Sequence, residues 1–309
     1  MAARPAPPDP PVDLAGNRLC LVQVHAHPDD EASKGSGTVA KYAAEGIRSV
    51  LVCCTGGEAG DILNPAVDTP EVRENLLAVR MQELQASVDA LGYDALHLLG
   101  YHDSGMADTE VNARPDNFAN APLDEAVERL VRVIREERPQ VIVTYADDRE
   151  FYPHPDHIRV HEISPPAFDA AGDPDRFPDA GEPWQPAKLY YTGWSRRRVL
   201  ALHEAFEQRG LESPFAQWFE RGFPDNDDRF TTFVDVGDFL HKRRAALLAH
   251  RTQVDPDGFW MRLPDGVIRQ VFPWEEYQLA RSHVDNGVSE GDPEDDLFAG
   301  LRSAVPLRG

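Results

Sequence analysis

The sequence predicts an α/β protein: a Rossmann-like, doubly wound and mostly parallel sheet, followed by a smaller C-terminal α+β part. Three observations carry this. Short apolar runs alternate with helix-period segments from Leu19 to Gln208. Four of those runs end in polar segments rich in His, Asp and Glu. The alternation stops after about residue 212. Strands joined by helical crossovers pair in parallel, because right-handed βαβ connections bring the chain back onto the same sheet.

Met1 to Gly16 is rich in Pro and Ala and has no apolar signal-peptide core, so residues 1–17 read as a disordered lead-in. Leu19 to Val24 is an apolar run suited to a strand buried on both faces. Gly37 to Glu45 reads as a helix and Arg48 to Cys54 as the second strand. Glu71 to Leu91 reads as one long amphipathic helix, with Leu76, Val79, Leu84, Val88 and Leu91 near helical spacing. Leu96 to Leu99 is the third strand. Leu123 to Glu137 is a helix stopped by Pro139. Val141 to Tyr145 is the fourth strand, and a helix runs through His157 to His161. Lys188 to Thr192 is the fifth strand, with a helix over Arg198 to Gln208. Residues 18–212 thus form the main domain. Residues 213–309 form a C-terminal part packed on the sheet and completing a substrate cleft, with a strand over Thr231 to Val236, a helix over Asp238 to His250, and an extended acidic stretch beyond Val284.

Composition narrows the function. The 309 residues carry 31 Lys plus Arg against 53 Asp plus Glu, a formal charge of −22 that repels nucleic acid and anionic membrane. No apolar run approaches the roughly 20 residues of a membrane helix, so a cytoplasmic protein is expected. Cys20, Cys53 and Cys54 sit in apolar stretches without a CxxC, the pattern of buried reduced thiols.

The chemistry gathers at the ends of the strands, where ligands bind in open α/β sheets. His25-Ala-His27-Pro28-Asp29-Asp30-Glu31 follows the first strand and Thr55-Gly56-Gly57-Glu58 the second. His102-Asp103-Ser104-Gly105 follows the third, and Tyr152-Pro153-His154-Pro155-Asp156-His157 lies beyond the fourth. The first and last of these each pair histidine with carboxylate beside a stiffening proline. Two histidines and a carboxylate from two loops are a usual ligand set for a catalytic zinc with an open position. A neighbouring carboxylate can then accept the proton of the attacking water. The Gly35-Ser-Gly37-Thr-Val-Ala40 pattern comes too late after the first strand for a dinucleotide turn and reads as packing. His25 is a candidate for support of the ligands, and His250 opens the segment His250-Arg-Thr-Gln253.

HAHPDDE, TGGE, DSG and YPHPDH together resemble the N-acetylglucosaminyl deacetylases and mycothiol-pathway hydrolases known as the LmbE-like family. The resemblance runs from Leu21 to about Leu301. TGGEAGDILNP (55–65), RFPDAGEPW (176–184), HRTQVDP (250–256), residues 274–281 and DDLFAG (295–300) place it nearest the mycothiol S-conjugate amidase branch. The resemblance implies one zinc per chain, or ferrous iron on the same ligands, held by His27, Asp30 and His157. It implies Asp29 as general base, and His154 as the group that steadies the oxyanion or protonates the leaving amine, oriented by Asp156. It implies Tyr152 polarising the carbonyl, and Arg80 and Asp103 gripping sugar and inositol hydroxyls. Lys34 marks the amidase branch, and Glu58 and Gln253 line the cleft. The implied partner is a small molecule, a mycothiol S-conjugate; the alternatives are an acetamido-sugar deacetylase and a silent thiol-conjugate binder. One departure stands out. Glu150 and Phe151 occupy positions where amidase relatives carry glycines, which suggests an altered loop and a specialised, natural-product-pathway paralogue.

Overall fold

The computed structural model describes residues 10–147, 149, 152–285 and 292–303. In chain order the elements are β1 (Cys20–His25), α1 (Asp30–Ser33), α2 (Ser36–Ala44), β2 (Arg48–Thr55), α3 (Pro70–Glu74), α4 (Leu76–Leu91), β3 (Ala95–Tyr101), α5 (Leu123–Glu137) and β4 (Val141–Tyr145). They continue with α6 (Pro155–Ala171), β5 (Lys188–Gly193), α7 (Arg196–Glu207), α8 (Ala216–Glu220), β6 (Thr232–Asp235), α9 (Leu240–Ala249), α10 (Phe259–Arg262), α11 (Asp265–Val271) and β7 (Trp274–Ser282). No described helix is long and apolar enough to cross a membrane.

One seven-stranded sheet has the order β3-β2-β1-β4-β5-β7-β6. β1 to β5 are mutually parallel, and β7 runs antiparallel to both β5 and β6. The chain builds outward from β1 to β3, then returns to place β4 on the other side of β1. The strand order therefore reverses between β1 and β4, and a crevice opens beyond their carboxyl ends. The alternating side chains of the inner strands fill two cores. Val22, Val24 and Val52 pack with Leu130, Ile134, Val160 and Phe168 of α5 and α6. Leu21 and Leu51 pack on the other face with Val39, Leu84, Val88 and Leu247 of α2, α4 and α9. The three cysteines are buried thiols, as expected.

Three expectations need correction. The helix predicted over 71–91 is two helices. Asn75 sits at φ −115° between them, and its side-chain amide donates to the Glu71 carbonyl, a local bond that competes with helix continuation. Second, β7 was not foreseen, and it draws the C-terminal part into the sheet rather than onto it. β5 would otherwise present an open edge of unpaired backbone groups, and β7 covers that edge. Third, the lead-in and the acidic tail are only partly as read. Residues 1–9 lie outside the described residues. Residues 10–17, however, form a turn in which Asp13 accepts the Asn17 and Ala15 N–H groups and the Gln140 amide. Past the undescribed residues 286–291, Leu297 and Phe298 are fully buried.

The tail carries an ion pair of consequence. Lys188 Nζ lies 2.8 Å from Glu294 Oε1, with 0% and 2% of the side chains exposed. Tyr190 and Thr232 donate to the other carboxylate oxygen at 2.5 and 2.7 Å. Removing one partner of a buried pair strands the other charge. Lys188→Met is therefore expected to destabilise the protein by about 3–5 kcal/mol. Urea unfolding checks this, and a loss under about 1 kcal/mol, the worth of an exposed pair, would refute it.

Candidate metal centre and active site

Each strand end delivers its polar segment for a local reason. β1 terminates at His25, and Pro28 and the turn that follows allow α1 to begin at Asp30. β4 ends at Tyr145. His154 then caps α6, its Nδ1 accepting the Asp156 N–H at 3.2 Å, with Pro155 in the first turn where no amide donor is needed. The crossing of these two loops at the switch point brings three donors together. Asp30 Oδ2 lies 3.5 Å from His27 Nδ1 and 3.3 Å from His157 Nε2. All three residues are buried. A tetrahedral zinc with bonds of about 2.0–2.1 Å has ligand atoms about 3.3–3.4 Å apart, so the donor set fits such an ion.

The surroundings support the same reading. The other ring nitrogen of His27, Nε2, sits 3.1 Å from Asp156 Oδ2, the carboxylate–histidine arrangement that orients a metal-binding imidazole. Asp156 is fixed in turn by the Ser104 N–H at 3.0 Å and by the Ser104 hydroxyl. Asp156 was expected to orient the His154 ring; its carboxylate serves His27 instead, and only its backbone N–H reaches His154. With an outer partner of this kind removed, Asp156→Asn is expected to weaken zinc affinity by about 10–100-fold. Competition against a chromophoric chelator measures this, and an unchanged affinity would contradict the assignment.

The site holds an excess of acid. Against burial, His157 and Lys34 hold the Asp30 carboxyl well below the usual range. Burial raises the Asp29 and Asp103 carboxyls, opposed by Arg80 and His27 respectively. Burial also opposes charge on His27, but hydrogen bonds to Asp156 and Asp30 lift it to about 10. Burial lowers His154 and His157 to about 4, so both rings are neutral at pH 7. Because His154 Nδ1 accepts the Asp156 N–H, its proton belongs on Nε2, which is thereby a donor.

The remaining expected residues separate into two sets. Asp29 has 30% of its side chain exposed and stands at φ 117°, a left-handed backbone that side-chained residues seldom adopt. Tyr152 is 52% exposed, its ring edge-on to His157 at 4.9 Å. Lys34 Nζ is 2.6 Å from Asp30 Oδ1. Gln253 donates to the Asp61 carbonyl at 3.1 Å and is part-buried. Glu58 accepts from His102 and the Asp103 N–H at 2.9 and 3.2 Å. Arg80 and Asp103, expected to grip hydroxyls, are instead 3% and 4% exposed and occupied within the protein. Arg80 donates to the Pro28 and Gly57 carbonyls and, at 3.1 Å, to Asp29. Asp103 accepts the Gly105 and Ala59 N–H groups at 2.8 and 3.3 Å. The second glycine of TGGE follows from this. Gly57 is at φ +67°, and a Cβ there would fall 2.4 Å from the Arg80 guanidinium carbon.

Tyr145, Glu83 and Ser87 support the site and escaped the sequence reading. Tyr145 stacks on His157 with ring centroids 4.5 Å apart and planes 7° from parallel. Its hydroxyl accepts the Ala26 N–H and meets His25 Nδ1 at 2.8 Å, while His25 Nε2 meets Gln23 Oε1 at 3.1 Å. His25 therefore supports the site from behind. On α4, Arg80, Glu83 and Ser87 form a buried polar stripe. Their spacing of three and four residues was a legible signal, masked by the stronger apolar stripe beside it. The altered loop lies partly outside the described residues, which omit 148, 150 and 151. Gly35 and Gly37 are packing glycines, facing Gln23 and Val236.

Comparison with known proteins agrees with this architecture. The model of the family described as PIG-L, GlcNAc-PI de-N-acetylase, matches residues 22–168. A mycothiol S-conjugate amidase from Streptomyces coelicolor is 45% identical over 294 residues, 93% of this chain and 98% of the relative. The chain belongs to the GlcNAc-PI de-N-acetylase family. As a member it is an amide hydrolase. A second family relative, a 1D-myo-inositol 2-acetamido-2-deoxy-alpha-D-glucopyranoside deacetylase from Geodermatophilus obscurus, is 41% identical over 91% of this chain and 97% of its own length. The fold is shared with the N,N'-diacetylchitobiose deacetylase of Pyrococcus horikoshii, at a TM-score of 0.59 and 18% identity over 84% of this chain and 83% of that one.

Proposed function

We propose that this chain is a zinc amidase that cleaves the amide between the cysteine and glucosamine of a mycothiol S-conjugate, releasing a mercapturate and glucosaminyl-inositol. The observation that carries the metal-dependent reading is the His27–Asp30–His157 cluster, with donor spacings of 3.3 and 3.5 Å beside a carboxylate on a strained backbone. The 45% identity to an amidase along nearly the whole chain supports the substrate class.

Bound by His27, Asp30 and His157, zinc would supply Lewis acidity and lower the pKa of a water molecule toward about 7. Asp29 accepts the proton of the attacking water and returns it to the departing glucosamine nitrogen, which leaves poorly unprotonated. His154, neutral with its proton on Nε2, donates to the developing oxyanion, and the Tyr152 hydroxyl is a second donor there. Lys34 holds the outer oxygen of Asp30, and Asp156 holds His27. Glu58 and Gln253 line the cleft between the strand ends and the C-terminal part. Disposal of electrophiles captured by a thiol, or trimming of a thiol adduct during antibiotic assembly, would both use this reaction.

The second reading, deacetylation of N-acetylglucosaminyl-inositol, is favoured by the 41% relative and uses the same groups. Hydrolysis of a bimane conjugate of mycothiol, run beside N-acetylglucosaminyl-inositol with zinc-loaded enzyme, separates them. Release of the N-acetylcysteine–bimane conjugate, lost in Asp29→Asn, supports the amidase. Acetate release alone moves the assignment to the deacetylase, and turnover of neither by metal-bound protein rejects both.

A further inference from the structure

Asp29 stands at φ 117° and ψ −24°. Backbone strain of that kind costs about 1–3 kcal/mol and persists only where the surroundings over-determine it. The residues that over-determine it are visible. The Asp29 N–H donates to Glu31 Oε2 at 2.9 Å, and its carboxylate accepts from Arg80 at 3.1 Å. Glu31 is itself buried, and its other oxygen accepts from the Ser87 hydroxyl and from His250 Nε2 at 2.5 Å. Glu31 and His250 are 1% and 0% exposed in their side chains. Two residues fix Glu31, and Glu31 fixes the peptide that aims Asp29.

His250 comes from 219 residues further along the chain. It opens a strap of four consecutive residues tied to the N-terminal half. The Arg251 carbonyl accepts from Asn64 at 3.0 Å. The Thr252 N–H and hydroxyl donate to Glu83 at 2.9 and 2.6 Å, and its carbonyl accepts the Leu63 N–H at 2.8 Å. Gln253 donates to the Asp61 carbonyl. The strap thus grips both the α4 stripe and the loop that follows TGGE.

We infer that His250 is a positioning residue: through Glu31 it holds Asp29 in the left-handed conformation that aims its carboxylate, so that the C-terminal part sets the geometry of the reaction. Being fully buried, His250 touches no substrate, and its hydrogen-bonded route to Asp29 runs through Glu31. The inference rests on the reading of Asp29 as the base.

The test compares His250→Met, which fills the space without a donor, with His250→Gln, whose amide nitrogen can replace ring Nε2 against Glu31. A displacement near 1 Å costs about 100-fold in rate. His250→Met is therefore expected to lose about 10–100-fold in kcat with KM near wild type and zinc still bound, while His250→Gln keeps most of the rate. Amide hydrogen exchange supplies a readout independent of turnover: the Asp29 N–H should exchange faster in the Met variant than in the Gln variant. Equal losses in both variants, tracking their thermal stability, would show a packing role and overturn the inference. A Met variant with wild-type kcat and unchanged Asp29 exchange would overturn it also. Should His250→Met fail to fold, Glu31→Gln carries the same test, with the same faster Asp29 exchange expected. Asp29→Asn is assayed alongside. If it stays active, the base reading has failed; if it is inactive while His250→Met is not, only the positioning role has.

Discussion

Asp29→Asn is expected to lose about 10²–10⁴ of kcat while keeping fold and metal, the usual worth of a positioned general base. Asparagine is the informative substitution because the backbone at 29 is left-handed, φ 117°. Asparagine tolerates that region better than other side-chained residues, and its amide oxygen can still accept from Arg80. What disappears is the capacity to take a proton. Alanine would mix that loss with local relaxation, since neither the Arg80 contact nor any polar side chain would remain. The decisive comparison is kcat against zinc affinity. A variant that binds zinc like wild type and hydrolyses within a few-fold of its rate would remove Asp29 from the mechanism. Attention would then turn to Asp103, a second carboxylate beside His27 that burial raises.

Asp30→Ala is expected to have the largest effect on the metal. Asp30 is the member common to both short donor distances, and its second oxygen neutralises Lys34 at 2.6 Å. Its removal deletes one ligand and leaves an ammonium group facing a site that must hold a divalent cation. The loss should exceed the ~10–100-fold typical of an outer partner and should abolish turnover at stoichiometric zinc. Thermal unfolding gives an independent reading. A ligand at 100 times its Kd adds about 2.7 kcal/mol of stability, so zinc should raise the wild-type Tm and leave the Asp30→Ala Tm almost unmoved. Equal zinc-induced shifts in the two proteins would mean that the ion binds elsewhere.

The general plan of the site could be read because its parts are contiguous. HPDDE and HPDH each place histidine, proline and acid within a few residues, and the alternation of runs puts both at strand ends. The roles of Arg80, Asp103 and Asp156 could not be read. Whether a buried arginine faces a substrate or a backbone carbonyl depends on which loop crosses above it, and Gly57 and Pro28 are separated from Arg80 by 23 and 52 residues. The same holds for Asp156, whose carboxylate meets His27 across 129 residues. Asn75 illustrates the reverse case. Its helix break is local, but helical periodicity continues through it, and the pattern outweighed the capping chemistry.

By itself the sequence determined the alternating α/β order, the parallel strands and the gathering at strand ends of residues able to bind a metal. Each of these follows from periodicity or composition within a short window. Only the tertiary structure decided which face of each side chain is occupied, that β7 closes the edge of β5, and that His250 reaches Glu31 behind the strained Asp29. Those are pairings between distant segments, fixed by the packing of α4 and α9 on one face of the sheet, and no local pattern encodes the distance between them.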